Sequence, residues 1–169
     1  MKVSAIMKRY PRTIAADDSL VRARDLMVWG GFRHLPVVEP NSGKLVGVLS
    51  EHEVAGHQAR AGNGNGWPAT DTVSMVMSAQ VHTAGPDDSV TEATARMASE
   101  KIGCLPVTTL GKLVGLVTVT DALAAEVRAD IAIHAASDTR VGEVMTRDPH
   151  SVHSDNYLVD AAARMSQYK

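Results

Sequence analysis

An internal repeat is the feature that most constrains this chain. The segment LPVVEPNSGKLVGVLSEHE at residues 35–53 returns as LPVTTLGKLVGLVTVTD at residues 105–121. Nearer the start, VSAIM at Val3 returns as VSMVM at Val73 and as VGEVM at Val141. Self-similarity at a fixed spacing indicates repeated supersecondary units, so the chain should be built from copies of one small fold.

The repeat divides the chain into four parts. Residues 1–60 and 71–133 are two full copies, joined by a linker rich in Gly and Asn at residues 61–70. Residues 139–169 repeat only the first half of a copy, so their apolar helix must pack on a neighbouring repeat or a second chain, or stay poorly ordered. A unit of roughly 60 residues is marginal alone, so we expect the two full copies to pack together.

Each copy reads as strand or coil, helix, hairpin and helix. The run DDS at residues 17–19 offers capping side chains before an apolar stripe at helical spacing, Leu20, Ala23, Met27 and Val28. Branched runs around Gly-Lys turns follow, which is typical of hairpin strands. Second helices are predicted at residues 51–60 and 119–133. The predicted fold class is α/β (α+β), with tandem β-α-β-β-α units.

Charge and composition exclude several classes of partner. The chain has 17 basic and 19 acidic residues and a net charge of −2, so no overall field attracts nucleic acid or a membrane surface. No apolar run approaches the roughly 20 residues of a membrane span. The single cysteine, Cys104, lies in an apolar run, which favours an unreactive buried thiol and a reducing compartment. We therefore expect a cytoplasmic protein.

The repeated motifs resemble those of the cystathionine-β-synthase (CBS) domain family. VSAIM…TIAADDSLVRARDLM…RHLPVV…GKLVGVLSEHEV and VSMVM…TAGPDDSVTEATARM…GCLPVTT…GKLVGLVTVTDAL are similar to the two halves of a CBS domain pair, or Bateman module. The resemblance runs from Val3 to about Leu123, and the half-copy extends it. It implies a pseudo-twofold pair of units with two clefts between them, and assembly into a homodimer.

The resemblance also implies a function. Such a module is regulatory and binds an adenine nucleotide, AMP, ADP or ATP, between its repeats, with no cofactor required and an effector protein in trans. S-adenosylmethionine and NAD are alternative ligands because each carries the same ribose. A ligand-free scaffold for dimerisation or protein docking is the alternative function. No constellation of residues points to catalysis or to a metal site, so we expect no enzyme activity.

Each copy ends its hairpin on a hydroxyl residue followed three positions later by a carboxylate. In the second copy these are Thr118 and Asp121. A carboxylate accepts hydrogen bonds from both ribose hydroxyls, while a helix start with a threonine hydroxyl favours a phosphate. An ordinary helix cap explains the same spacing, and the CBS resemblance favours the nucleotide clamp. The first copy has Ser50 and the longer Glu53, so we expect the Asp121 cleft to be the better nucleotide site.

The other walls of the clefts are expected just before the hairpins. For the Asp121 cleft they are Thr83, Gly103, Cys104 and Leu105, and their counterparts in the first copy are Thr13, Arg33, His34 and Leu35. Arg33 and His34 either reach ligand phosphates or are a solvated arginine and a half-buried histidine. Binding through His34 would depend on pH near its unperturbed pKa of about 6.5.

Overall fold

The structure is a computed structural model that describes residues 1–61, 68, 70–133 and 140–167. The chain divides into two compact units, Met1–Ala129 and Asp130–Lys169. The first unit contains both full repeats except for the end of the last helix. Most of the predicted linker at residues 61–70 lies outside the described residues. No helix in the described part of the chain is long and apolar enough to cross a membrane.

The elements follow the order predicted for each copy. The first repeat contains β1 (Lys8–Arg9), α1 (Leu20–Gly30), β2 (His34–Val38), β3 (Leu45–Ser50) and α2 (Glu51–Ala61). The second contains α3 (Val90–Ser99), β4 (Cys104–Thr109), β5 (Lys112–Thr118) and α4 (Val119–Ile133). The half-repeat contains α5 (Val141–Val144) and α6 (Leu158–Gln167). One turn of 3-10 helix opens each full repeat, at Val3–Ala5 and Val73–Met75. The predicted mixed α/β class is confirmed.

Each full repeat folds its branched runs into an antiparallel hairpin, β2–β3 or β4–β5. The pairing shifts at a bulge after Val37 and, at the equivalent place, after Val107. In the turns Gly43 and Gly111 have φ angles of 68° and 76°, a left-handed conformation that favours glycine. The two turns also meet, because the N–H of Leu45 donates to the carbonyl of Gly111 at 3.2 Å.

The first segment of each full repeat packs against the other repeat. These segments, residues 3–9 and 73–78, are named here the exchanged segments. Strand β1 of the first repeat pairs with β5 of the second, so that Lys8 lies opposite Leu116. Ser78 of the second repeat forms the equivalent bridge to Val48 in β3 of the first. Each sheet therefore contains residues of both repeats.

The exchanged segments also complete the hydrophobic cores. Val3 is fully buried among residues of the second repeat, and Val73 is fully buried among residues of the first. The N–H of Val3 donates to the carbonyl of Asp88 at 2.9 Å, and the N–H of Val73 donates to the carbonyl of Asp18 at 2.9 Å. Neither repeat has a complete core of its own, which is a physical reason for the pair.

A glycine in the second strand of each hairpin makes room for the exchange. A Cβ atom on Gly115 would lie 2.5 Å from the sulfur of Met7, and one on Gly47 would lie 2.6 Å from the sulfur of Met77. The methionine of each exchanged segment thus lies directly over a glycine. The repeated motif KLVG is therefore explained by packing between the repeats.

Two cores result, one under each hairpin, and each includes the predicted helical stripe except for Val28, which is 70% exposed because it turns away from the hairpin. The first consists of Ile14, Leu20, Ala23, Met27, Leu35, Val37, Leu49, Val54 and Val73. The second consists of Val3, Ala84, Val90, Ala93, Met97, Leu105, Val107, Val117 and Ala122. Methionine in each stripe is core filler, as the spacing predicted.

The ends of α1 lie where the sequence places them. The N–H of Arg22 donates to the hydroxyl oxygen of Ser19 at 3.2 Å, and Gly31 ends the helix with a φ angle of 65°. Helix α3 begins at the matching position, but Ser89 forms no side-chain capping bond there. The same capping motif is therefore used in one copy and left unused in the other.

In the half-repeat, residues equivalent to buried core positions are exposed. Leu158 is 86% exposed and Met165 is 75% exposed, whereas the equivalent side chains of α1 are buried. Val141, equivalent to Val3, is 77% exposed. Among its described residues this unit has no hairpin to cover α6. Packing of α6 on another repeat or a second chain stays a prediction.

Candidate functional site

Two crevices lie between the full repeats, one beside each helix that follows a hairpin. The larger, named here the Glu53 crevice, has a volume of about 400 Å³. Ser50 and Glu53 of the first repeat line one side, and side chains within 78–82 and 101–104 of the second repeat line the other.

The smaller crevice, named the Thr118 crevice, has a volume of about 170 Å³. Thr118 and Thr120 of the second repeat line one side, and side chains within 8–12 and 31–34 of the first repeat line the other. The two crevices are therefore pseudo-symmetric. Each combines the hairpin end of one repeat with the first segment and the helix-to-strand turn of the other.

This exchange pairs the walls differently from the sequence prediction. Gly103 and Cys104, expected beside Asp121, line the Glu53 crevice instead. Arg33, expected in the cleft of the first copy, lines the Thr118 crevice. His34 lines both cavities. The expected grouping failed because the spacing within one copy does not reveal which copy supplies the opposite wall.

Five predicted site residues line neither crevice, namely Asp121 and four predicted wall residues. Leu35 and Leu105 are fully buried in the two hydrophobic cores. Thr83 lines a separate hollow of about 190 Å³, and its carbonyl accepts a hydrogen bond from Nη1 of Arg96 at 3.0 Å. Thr13 is half-buried and lies outside both linings. At Leu35, Leu105 and Thr83, the repeated sequence therefore reflects core packing and a backbone hydrogen bond, and it does not indicate a crevice wall.

The hydroxyl and carboxylate pairs form reciprocal helix caps. The hydroxyl of Thr118 donates to Oδ2 of Asp121 at 2.6 Å, and the N–H of Thr118 donates to the same oxygen at 3.0 Å. The N–H of Asp121 donates back to the Thr118 hydroxyl oxygen at 3.2 Å. The cap interpretation of this spacing is confirmed. The Thr118 proton expected to serve a phosphate is used within the cap.

Ser50 and Glu53 form the same cap in the first copy. The hydroxyl and the N–H of Ser50 donate to Oε2 of Glu53 at 2.8 Å and 2.7 Å, and the N–H of Glu53 donates to the hydroxyl oxygen at 3.2 Å. The extra methylene of glutamate is therefore accommodated without loss of the cap.

Each cap leaves the second carboxylate oxygen for other partners. Oε1 of Glu53 accepts a hydrogen bond from the hydroxyl of Ser78 at 2.6 Å. Oδ1 of Asp121 lies 3.9 Å from the ammonium nitrogen of Lys8. Ser78 and Lys8 occupy equivalent positions in the exchanged segments. Both carboxylates are thus held in one orientation at the boundary between the repeats.

Positive charge gathers at the Thr118 crevice. Lys8, Arg12 and Arg33 line it, with no acidic side chain among the described residues of its lining. Nη2 of Arg33 donates to the hydroxyl oxygen of Thr120 at 3.1 Å. Lys8 and Arg12 were absent from the sequence prediction, because only the exchange of first segments brings them to this site.

The Glu53 crevice has a different charge balance. Lys101 and Glu53 are its permanently charged lining residues within the described part of the chain, and they carry opposite signs. Three histidines, His34, His52 and His82, complete its polar lining together with Ser50, Ser78 and Gln80.

His34 forms a partition between the two crevices. A Cβ atom on Gly103 would lie 2.9 Å from two atoms of the His34 ring, so only glycine leaves room for this ring. Burial, followed by the neighbouring Arg33 charge, lowers the pKa of His34 from 6.5, although Glu53 and Glu51 act in the opposite sense. The expectation of titration near 6.5 is therefore corrected towards lower pH.

Cys104 is a structural wall residue. Its thiol is free and buried, and burial raises its pKa to about 12, with the Glu53 charge as a second cause. The thiol is protonated at physiological pH, so it is a poor nucleophile and a poor metal ligand. Across residues 1–61, 70–133 and 140–167, no group of three or more His, Cys, Asp or Glu side chains has the geometry to hold a metal ion.

The sequence was compared with protein-family profiles and with known proteins, and the matches include CBS domain proteins. A profile of the CBS domain matches residues 3–60, 73–128 and 141–169. The CBS domain-containing protein CBSCBSPB3 of Arabidopsis thaliana is 27% identical over 99% of this chain and 35% of its own length. The L-aspartate semialdehyde sulfurtransferase of Methanocaldococcus jannaschii is 29% identical over 70% of this chain and 22% of its own. The chain spans about a third or less of these relatives.

Solved structures match the pair of repeats over most of the chain. A Vibrio cholerae protein named AcuB, for acetoin utilization, has a TM-score of 0.72 at 28% identity and covers 80% of this chain and 98% of its own. The CBS domain pair of protein MJ0100, in complex with 5′-methylthioadenosine and S-adenosyl-L-methionine, has a TM-score of 0.68 at 25% identity and covers 76% and 98%. Two full repeats, their exchanged segments and the profile match together show that this chain belongs to the CBS domain family.

Proposed function

We propose that the chain is a regulatory module that binds an adenine nucleotide, AMP, ADP or ATP, in a crevice between its two full repeats. The observation that carries the proposal is the pair of capped carboxylates. Each is oriented by its own helix cap. Glu53 lines its crevice, and the second oxygen of Asp121 lies 3.9 Å from Lys8, which lines the Thr118 crevice. A carboxylate held in this way is suited to accept hydrogen bonds from ribose hydroxyls.

The Thr118 crevice offers the groups that a nucleotide phosphate requires. Arg33, Arg12 and Lys8 supply donors with permanent positive charge. The hydroxyl of Thr120 accepts from Arg33, so its own proton can be donated to a phosphate oxygen. Asp121 lies outside the lining of this crevice but 3.9 Å from Lys8, and we propose that it accepts hydrogen bonds from the ribose there. This arrangement supports the sequence-based preference for the Asp121 cleft as a nucleotide site.

Regulation follows from the shared walls. Each crevice takes one side from each repeat, so a bound ligand contacts both repeats at once. A ligand changes the relative packing of the repeats only to the extent that it binds one arrangement more tightly than another. An effector protein in trans would then respond to that arrangement.

A thermal-shift panel tests the proposal. AMP, ATP, S-adenosylmethionine and NAD are each added to the protein, and a ligand at 100 times its Kd should stabilise the fold by about 2.7 kcal/mol. Asp121→Asn should reduce the shift produced by AMP, whereas Asp17→Asn, an exposed acid outside the crevices, should not. An unchanged melting temperature with all four ligands would contradict the proposal.

Other adenosyl ligands remain alternatives within the same proposal. The complex of MJ0100 with 5′-methylthioadenosine and S-adenosyl-L-methionine favours a ligand without phosphate. NAD carries the same ribose and enters the same panel.

A ligand-free scaffold is the second candidate function. Exposed apolar side chains favour it, namely Val28 and Trp29 on α1 and Leu123 and Val127 on α4. Contiguous exposed apolar surface is typical of protein interfaces. A homodimer in solution, measured by light scattering after gel filtration, together with no ligand-induced shift would favour this function over the first.

We propose no enzyme activity for the chain itself. The relatives with enzyme names, such as the sulfurtransferase of Methanocaldococcus jannaschii, match this chain over less than a quarter of their own length. The Cys104 thiol in the Glu53 crevice is kept protonated by burial, which raises its pKa. A regulatory, ligand-binding pair of repeats is consistent with both observations.

A further inference from the structure

We infer that the two crevices select adenosyl ligands by charge. The Thr118 crevice takes a ligand with a 5′-phosphate, and the Glu53 crevice takes one whose 5′ substituent is uncharged or cationic, such as a thioether or a sulfonium. The inference rests on the proposed function and adds to it an assignment of ligand class to each crevice. A single sequence difference between the copies carries it.

That difference is Arg33 against Gly103. The two residues are equivalent, since each precedes the first hairpin strand of its repeat. Arg33 extends its guanidinium into the Thr118 crevice, where it reaches Thr120 at 3.1 Å. Gly103 sends no side chain into the Glu53 crevice. The volumes follow this difference, with about 170 Å³ left beside Thr118 and about 400 Å³ beside Glu53.

The exchanged segments add to the asymmetry. Lys8 lines the Thr118 crevice and lies 3.9 Å from the Asp121 carboxylate outside that lining, whereas its counterpart Ser78 donates a neutral hydroxyl to Glu53. Arg12 increases the positive charge of the Thr118 crevice further. A doubly charged phosphate in this crevice would meet three cations, of which Lys8 is partly offset by Asp121, whereas Arg12 and Arg33 have no such acidic partner among the described residues.

In the Glu53 crevice a phosphate would meet a less favourable field. Lys101 is its permanent cation among the described lining residues, and the Glu53 carboxylate offsets that charge. His34, which lines the same cavity, is neutral at physiological pH because burial opposes its charged form. A 5′ substituent without negative charge avoids repulsion from Glu53 and uses the larger volume. About 400 Å³ lies within the usual range for small-molecule sites, whereas the roughly 170 Å³ beside Thr118 lies below it, so a nucleotide bound there would be only partly enclosed.

The test compares two probes that differ at the 5′ position, AMP and 5′-methylthioadenosine. Each is titrated calorimetrically into the whole chain, alone and with the other probe at saturation. We expect both to bind, each with little effect on the affinity of the other. Raising the salt concentration from about 50 to about 500 mM should weaken AMP and leave 5′-methylthioadenosine nearly unchanged, because salt screens charge interactions.

Two variants test which probe binds in which crevice. Arg33→Ala should weaken AMP by roughly tenfold or more, the usual size for loss of a charged hydrogen bond, and leave 5′-methylthioadenosine within about twofold. Glu53→Gln should do the reverse. Arg9→Ala and Glu51→Gln are matched controls, because they make the same charge changes at exposed residues outside both linings.

The outcomes separate the inference from the proposed function. Competition between the probes, or loss of both probes in the same variant, would place them in one crevice and overturn charge selection while leaving the nucleotide module intact. Binding of AMP with no binding of 5′-methylthioadenosine would also overturn it. Failure of both probes, and of ADP and ATP as well, in the unmodified chain would overturn the proposed function itself.

Discussion

At the scale of the residue, the difference between the two copies that most affects the crevices lies at the turn before each hairpin. His34 occupies space that exists only because Gly103 has no side chain. The same ring lines both crevices, so its charge state affects both sites. Cys104 stands at the position equivalent to His34, and it provides an apolar wall with a thiol that does not ionise at neutral pH.

His34 gives a pH prediction. Its folded pKa is below 6.5, so between that value and about 6.5 the unfolded chain binds more protons than the folded one. As far as His34 is concerned, the free energy of unfolding should therefore be greatest above about pH 6.5 and should decline as the pH falls towards the folded pKa. NMR titration of the His34 ring should give a midpoint below that of a free histidine.

His34→Gln removes this titration. The variant should lose part of the decline in stability between about pH 6.5 and 5, measured by urea unfolding at several pH values. His150→Gln, an exposed histidine of the other unit, is the control. A His34 midpoint above 6.5 would contradict the burial argument.

At the scale of the element, repeated sequence produced repeated structure only in part. Both helices that follow a hairpin begin with the same reciprocal cap, at Thr118 and at Ser50, because that bond pattern needs only three-residue spacing. The helices that precede the hairpins differ, since Ser19 caps α1 and Ser89 makes no side-chain cap.

This difference predicts unequal effects of one substitution. Ser19→Ala should lower the free energy of unfolding by about 1 kcal/mol, the usual value for loss of a cap. Ser89→Ala should change it by less than about 0.5 kcal/mol, because no hydrogen bond is lost. Urea unfolding of both variants provides the measurement. Equal losses would show that Ser89 caps α3 in solution.

At the scale of the whole molecule, the pair of repeats is the folding unit. Val3 completes the core of the second repeat and Val73 completes the core of the first. Each methionine of an exchanged segment also lies over a glycine of the other repeat. A single repeat cut from the chain would lose a sheet neighbour and a core side chain together.

Val3→Ala tests the exchange. The variant should lower the free energy of unfolding by roughly 1–3 kcal/mol, because it leaves a cavity in a fully buried site. Hydrogen exchange should accelerate first in β4 and β5 of the second repeat, far away in sequence. Val28→Ala makes the same chemical change at an exposed position of α1 and should have little effect. Faster exchange confined to the first repeat would contradict the exchanged arrangement.

The sequence by itself determined the repeats, the helices and hairpins, the apolar stripes and the acids three residues after a hydroxyl. These features depend on periodicity and on spacings of a few residues, and such local rules are written directly in the order of the residues. Only the tertiary structure decided that first segments are exchanged, that Arg33 faces Thr118, and that Gly103 faces Glu53. Those pairings join residues that are distant in the chain, and they are selected by which arrangement closes both cores at once, a condition that no local spacing reports.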